Sequence, residues 1–291
     1  MFSGAIPALV TPFTPSGELN EEKVRDLVRF HIEKGSHAIV PAGTTGESPT
    51  LSEEEKIRLF EIVVDEANGK IPVIAGTGGN NTAKAVELTR KAREIGVNAA
   101  LVVAPYYNKP TQEGLYRHYI EIAEKGGLPV VVYNVPGRTS VNILPATVER
   151  LAEHENIVAI KEASGNLGQI SEIHLRCGDK ITILSGDDNL TLPILSVGGK
   201  GTISVTANIV PDRVNAMIDA YFEGKYEIAL SIHHELEPLN NAMFLETNPI
   251  PVKTAMNMLG MEVGGFRLPL CEMSESNKEK LKATLIEAGL L

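Results

Sequence analysis

The sequence predicts an α/β fold, a (β/α)8 TIM barrel with a C-terminal helical extension. Three observations carry this. Short β-rich runs alternate with helical patterns along most of the chain. Several of the runs, notably 99–103 and 129–132, are apolar throughout, as parallel strands covered on both faces are. Eight such units follow one another in order, and a doubly wound open sheet rarely needs eight regular units. A chain of 291 residues suits one barrel of this kind.

The first run, Ala5–Val10, is followed by a helical pattern around Glu21–Lys34. His37–Val40 comes next, then a helix opened by Ser52 with Glu55 three residues on. That spacing is a capping box, in which each side chain bonds the other residue's backbone N–H. Pro72–Ala75 precedes a helix around Thr82–Ile95, and Ala99–Val103 precedes one around Gln112–Glu124. Pro129–Tyr133 precedes a helix around Ala146–Ala152. Ile157–Lys161, Ile181–Leu184 and Thr202–Val205 complete the eight. Beyond about residue 224 the strand signal stops. Tyr226–Ala242, a segment after Asn248-Pro249-Ile250-Pro251, and Asn277–Ala288 all read as helical. Residues 1–224 are therefore expected to form the catalytic barrel, and 225–291 a helical region packed on it or on a neighbouring subunit.

Composition narrows the function classes. Apolar residues make up 43% and charged residues 22%, as in ordinary soluble globular proteins. A net charge of −10 with no basic cluster argues against nucleic acid as a partner. No apolar run approaches the roughly 18 residues that span a bilayer, which argues against a membrane. Met1-Phe2-Ser3-Gly4 lacks a basic, then apolar, signal segment. The two cysteines, Cys177 and Cys271, are far apart and fit a reducing compartment, so the expected location is cytoplasmic. The seven histidines are scattered, and His233-His234 stand without a metal-binding helix pattern, so no metal is expected.

The chemistry should lie where strands end and βα loops begin. Ile157–Lys161 is an apolar strand that ends in a lysine. Desolvation there disfavours the ammonium form and favours a neutral, nucleophilic amine, the profile of a Schiff-base lysine. The alternative is a lysine that snorkels to solvent or pairs with Glu162. Gly43-Thr44-Thr45-Gly46-Glu47 offers hydroxyls and N–H groups to a carboxylate, or is a tight turn with capping hydroxyls. Tyr106, Tyr107 and Tyr133 end two strands. Each phenol either serves as a general acid or base, or is a buried hydroxyl with a structural hydrogen bond. Arg138, in a glycine-containing turn, is suited to bidentate capture of a carboxylate or to a surface ion pair. Asp187-Asp188 reads as a helix N-cap before Leu190 rather than as metal ligands. Gly199-Lys200-Gly201-Thr202 lacks the spacing of a phosphate-binding loop, and Gly76-Thr77-Gly78-Gly79 that of a dinucleotide fingerprint. No cofactor motif remains, which suits catalysis by a lysine imine.

Gly43-Thr44-Thr45-Gly46-Glu47, Tyr133-Asn134-Val135-Pro136-Gly137-Arg138-Thr139 and Ile160-Lys161-Glu162-Ala163-Ser164 together resemble the dihydrodipicolinate synthase family. This belongs to the class I, pyruvate-dependent aldolase superfamily, and the resemblance runs over essentially the whole chain. It implies a condensation of pyruvate with L-aspartate-4-semialdehyde to 4-hydroxy-tetrahydrodipicolinate, the committed step toward diaminopimelate and lysine. It further implies that Lys161 forms the imine with pyruvate, with no other cofactor. Tyr133 is then the general acid/base, linked through Thr44 to Tyr107, which in the family reaches the neighbouring subunit's site. Thr45 holds the pyruvate carboxylate, Arg138 the carboxylate of the aldehyde, and Gly186 and Ile203 line the pyruvate pocket. Self-association as a dimer of dimers is implied, although some relatives are dimers.

Arg138 separates this substrate from those of sugar-acid aldolases of the same superfamily, such as N-acetylneuraminate lyase and 2-keto-3-deoxygluconate aldolase. Those generally lack an arginine in this turn. A barrel that kept the fold as a non-catalytic regulator is the third possibility. Lysine-inhibited members bind their effector through histidines and a glutamate. Here Ser48, Asn80 and Tyr106 match that site, but the remaining positions hold Glu53, Lys56 and Lys84. Two lysines set like charges against the effector's ammonium groups, so lysine inhibition is expected to be weak or absent.

Overall fold

Seven of the apolar runs form one parallel sheet in the computed structural model, which describes residues 2–291. The strands are β1 (Gly4–Pro7), β2 (Ile74–Gly76), β3 (Ala99–Val103), β4 (Val130–Asn134), β5 (Ile157–Glu162), β6 (Thr182–Ser185) and β7 (Gly201–Ser204). Their order is β1-β7-β6-β5-β4-β3-β2. Helices alternate with them: α1 (Glu21–Glu33), α2 (Glu53–Ala67), α3 (Thr82–Ile95), α4 (Gln112–Gly126), the short turn α5 (Pro136–Thr139), α6 (Pro145–Leu151), α7 (Leu167–Cys177), α8 (Thr191–Ser196) and α9 (Pro211–Phe222).

The expected strand at His37–Val40 is not a regular strand. It makes only isolated parallel bridges, Ala8 with Val40 and Ile39 with Val73. Val40 N donates to Pro7 O at 3.0 Å, and Ile39 N donates to Pro72 O at 2.9 Å. The segment thus bonds to chain on both edges of the sheet. Prolines explain why the ladder is short: Pro41 and Pro72 have no N–H to extend it. The first strand also ends earlier than its apolar run. Val10 N donates to the Asn208 side-chain oxygen at 3.2 Å instead of to a neighbouring strand.

Helix starts follow local chemistry. Ser52 and Glu55 form the reciprocal capping box at α2. Asn81, Thr111 and Asn166 side chains accept from backbone N–H groups in the first turns of α3, α4 and α7. Asp187 and Asp188 do not cap by side chain as expected. Asp188 is buried, and its Oδ2 accepts from Val205 N and Thr206 N at 2.9 and 3.1 Å, tying the turn after β6 to the one after β7.

Strand alternation divides the apolar residues into two cores. Ile6, Val40, Ile74, Val131, Leu184 and Ile203 face one another inside the curled sheet. Val102, Val132 and Ile160 face outward against the helices. The C-terminal helices α10 (Tyr226–Ala242), α11 (Ile250–Met258) and α12 (Glu275–Glu287) join this outer core through Leu236, Leu239, Val252, Met256, Leu281 and Leu285. Helix α10 packs on α9, and α12 on α10 and α11. Helix α11 begins inside Asn248-Pro249-Ile250-Pro251 rather than after it. Pro251 occupies its first turn, where a missing N–H costs no helix bond.

Candidate active site

Strands β4 and β5 put the two central side chains beside each other. Tyr133 and Lys161 are register partners, as are Asn134 and Glu162. Alternation then sends Tyr133 and Lys161 to the inner side, and Asn134 and Glu162 to the outer side. Lys161 is only 5% exposed, and its Nζ lies 4.3 Å from the centre of the Tyr133 ring. That distance is within the range at which a ring face and a cationic head group interact.

Glu162 is no partner for Lys161. Its carboxylate is buried on the outer side, accepting from Asn134 Nδ2, Gln169 Nε2 and Ser164 N. Burial raises its pKa, and these donors oppose the rise. Asn142 completes the cluster, since Asn134 Nδ2 donates to its Oδ1 and its Nδ2 donates to Gln169 Oε1. The cluster stitches β4, β5, α7 and the turn after α5 together directly behind the two inner side chains.

A cavity of about 270 Å³ opens on Tyr133, lined also by Thr44, Val135, Arg138, Thr139 and Lys56 among others, and Lys161 is not part of its wall. Gly76 lets the Gly43–Glu47 loop approach, because a Cβ there would lie 2.1 Å from Ala42 O. Thr44 faces the cavity, whereas Thr45 is buried and its Oγ1 accepts from Asn248 Nδ2 at 3.0 Å. Arg138 lies on the exposed turn α5, and its Nη2 donates to Asn248 O at 3.2 Å. Gly186 packs against Lys161, and Ile203 is fully buried in the inner core below.

Of the expected catalytic and substrate-binding residues, Thr44, Tyr133 and Arg138 line this cavity, whereas Lys161, Thr45, Gly186 and Ile203 do not, and neither does Tyr107. It is 90% exposed, with a left-handed φ of 73°. Thr44 and Tyr133 share the cavity, and among the described residues no hydrogen bond joins them.

Ser48, Lys56 and Tyr106 line the same cavity, and a second cavity of about 180 Å³ adjoins it. Glu53, Lys56, Asn80, Lys84 and Tyr106 line the second one. Asn80 Nδ2 donates to Tyr106 O, and Asn108 Nδ2 donates back to Asn80 O, which holds the Tyr106–Asn108 turn over it. Glu53 pairs with Lys91 at 2.6 Å. Burial lowers the pKa of Lys56.

Two residues near the site, Asn248 and Lys253, escape a reading of strand ends, and a third, Asp187, is read there only as a cap. The carboxyl of Asp187 is pushed up by burial, with the charge of Lys161 pulling it back down. Asn248 and Lys253 come from the C-terminal region. A signal for Lys253 was present in the sequence. It is the one charged residue in the run Ile250–Met256, which is otherwise apolar except for Thr254, an anomaly like that of Lys161.

A family model described as the dihydrodipicolinate synthetase family matches residues 1–288. The chain is 58% identical over 291 residues to the 4-hydroxy-tetrahydrodipicolinate synthase of Thermodesulfovibrio yellowstonii, covering 100% of both. To the protein of the same name from Geotalea daltonii it is 56% identical, again covering 100% of both. Among solved structures, dihydrodipicolinate synthase from Aquifex aeolicus superposes with a TM-score of 0.97 at 50% identity, covering 99% of each chain. The enzyme from Cyanidioschyzon merolae with lysine bound gives 0.98 at 43% identity, covering 100% of this chain and 99% of that one.

Proposed function

Since this chain belongs to the dihydrodipicolinate synthetase family, we propose that it works through a pyruvate imine on Lys161, with the roles set out below. The reaction condenses pyruvate with L-aspartate-4-semialdehyde to 4-hydroxy-tetrahydrodipicolinate, so the chain is a lyase of the route to diaminopimelate and lysine. The observation that carries the reading is the register pair Tyr133 and Lys161, which sets a phenol ring 4.3 Å from a nearly buried amine.

In this reading the neutral Lys161 amine adds to the ketone carbon of pyruvate, and the carbinolamine loses water to give a protonated imine. Tyr133 supplies and removes the protons. The imine nitrogen is the electron sink, so loss of a methyl proton gives an enamine without any external cofactor. The enamine carbon attacks the aldehyde, and the aldehyde oxygen takes a proton. The amino group of the bound adduct then attacks the imine carbon and displaces Lys161, which closes the ring and frees the enzyme.

Thr45 and its neighbouring N–H groups hold the pyruvate carboxylate, and Gly186 and Ile203 shape the space beside the reacting carbon. Arg138, at the mouth and held by Asn248 O, binds the carboxylate of the aldehyde. Its place there favours an amino-acid aldehyde over a sugar tail, which calls for hydroxyl-binding groups. Thr44 links Tyr133 to Tyr107. The exposure of Tyr107 supports a role for it in a partner's cavity, within a dimer of dimers.

The segment His37–Val40 counts as the eighth strand of a closed (β/α)8 barrel, with residues 1–224 its catalytic part and 225–291 its helical extension. Its bonds to both sheet edges support that reading. Among the described residues no helix is long and apolar enough to cross a membrane, and we place the protein in the cytoplasm.

Borohydride reduction in the presence of pyruvate tests the mechanism. Intact mass should rise by one reduced pyruvate, and peptide mapping should put it on Lys161. No adduct, or an adduct on another lysine, overturns the assignment. Sedimentation should give a tetramer.

A further inference from the structure

Lys161 has one counterpart among the buried lysines. Lys253 on α11 is 0% exposed, and the proposed chemistry makes no use of it. An ammonium has three protons to place. Here they go to Glu47 Oε1 at 2.7 Å, Thr11 O at 3.0 Å, and Gly265 O. Glu47 is just as enclosed, and its Oε2 accepts from Arg267 N at 3.2 Å.

Glu47 closes the Gly43–Glu47 loop, with a φ of 54° that a glutamate does not favour by itself. Something must hold it there, and the carboxylate is tied from the C-terminal side on both oxygens. Thr11 reinforces the hold, since its Oγ1 donates to Gly46 O at 2.6 Å while its carbonyl accepts from Lys253. The same C-terminal segment grips the loop a second time through Asn248 Nδ2 and Thr45 Oγ1. Because Thr45 accepts there, its own hydroxyl proton is left to donate elsewhere. A buried ion pair is a poor source of net stability beside well-packed apolar groups. What this one provides is a fixed loop geometry.

We propose that Lys253, acting through Glu47, is a positioning residue for pyruvate: the ion pair holds the Gly43–Glu47 loop so that Thr45 meets the keto-acid carboxylate. This rests on the reading of Thr45 as the carboxylate holder. A carboxylate holder moved off hydrogen-bond distance loses binding in the ground and transition states alike, so the effect should be large and confined to the KM of one substrate.

The test uses the full-length chain and reads both KM values, kcat and thermal melting for K253M, the double variant E47M/K253M, and T45V. In K253M the KM for pyruvate should rise by about tenfold or more, with kcat and the KM for the aldehyde within about threefold. In E47M/K253M no charge is left unpaired, so melting should return toward the parent while the pyruvate KM stays raised. If the pyruvate KM recovers along with melting, the pair is only structural and the proposal fails. It fails too if folded K253M keeps the parent KM. If K253M does not fold, the double variant carries the test. A raised KM in T45V with none in the Lys253 variants rejects the clamp alone. An unchanged KM in T45V rejects the carboxylate reading, and the clamp with it.

Discussion

Gly186 makes room for Lys161. A methyl group built on the glycine would stand 3.1 Å from Lys161 Cε and 2.7 Å from Ala163 Cβ. The constraint is one of volume, because the lysine stem passes over bare backbone at the end of β6. Substituting alanine there therefore presses on Ala163 Cβ and the Glu162 carbonyl, at 2.7 and 3.2 Å, as well as on the lysine stem, so the end of β5 must shift and carry the amine with it.

G186A should melt earlier than the parent and lose about tenfold to a hundredfold in the rate of imine formation, because the end of β5 shifts and the amine moves off its line of approach. Trapping with borohydride at fixed times after adding pyruvate measures that rate. A parent-like trapping rate would show that the close approach does not govern the lysine.

Arg138 should act on the second substrate only. R138A should raise the KM for the aldehyde by about tenfold to a hundredfold, the loss of one charge-assisted contact of about 1.5–3 kcal/mol. Pyruvate trapping on Lys161 should be untouched. R138K should remain impaired, since an ammonium lacks the planar two-pronged donor. A uniform fall in both steps would instead mark Arg138 as structural.

Lysine should inhibit weakly or not at all. Lys56 and Lys84 line the second cavity, and Glu53, its one carboxylate, is already paired with Lys91. The effector's two ammonium groups would meet like charge, with only its own carboxylate to offset it. The check is a coupled assay at graded lysine concentrations, and half-inhibition below a millimolar contradicts the prediction.

Stability should fall on acidification before most carboxylates titrate. Burial pushes His31 down to about 3 and His118 down to about 4, both from 6.5. Between those values and 6.5 the unfolded chain binds the protons and the folded chain does not. Stability from both groups is therefore complete above about pH 6.5 and is lost as pH falls toward 4. The two together give a slope of up to about 2.7 kcal/mol per pH unit. Urea midpoints between pH 4.5 and 8 measure it. H31L should remove about half of the slope, and an unchanged slope would assign the acid sensitivity to other groups.

Much of this could be read from local sequence because the forces involved are local. The Ser52–Glu55 box and the β-rich runs depend on neighbours a few residues apart, and they appear where expected. The lysine anomaly of β5 is likewise a property of one strand, and so is the family pattern around it. The exceptions have equally physical causes. The His37–Val40 strand shrinks to bridges because prolines beside it and across from it cannot donate. Asp188 turns from an expected cap to a clamp because Val205 and Thr206 bring unpaired N–H groups to it from another loop.

By itself, then, the sequence determined the order of strands and helices and the reaction class, and singled out Lys161 as the proposed nucleophile, since each is written in short spans whose chemistry is self-contained. Only the tertiary structure decided what surrounds Lys161. It set the phenol ring at its side by register, sent Glu162 to the opposite face, and left Tyr107 outside the cavity. It also brought Asn248 and Lys253 from some 200 residues away onto the Thr45–Glu47 loop. Buried donors and charges must find partners wherever the packed chain supplies them, and those partners are fixed by packing rather than by spacing along the chain.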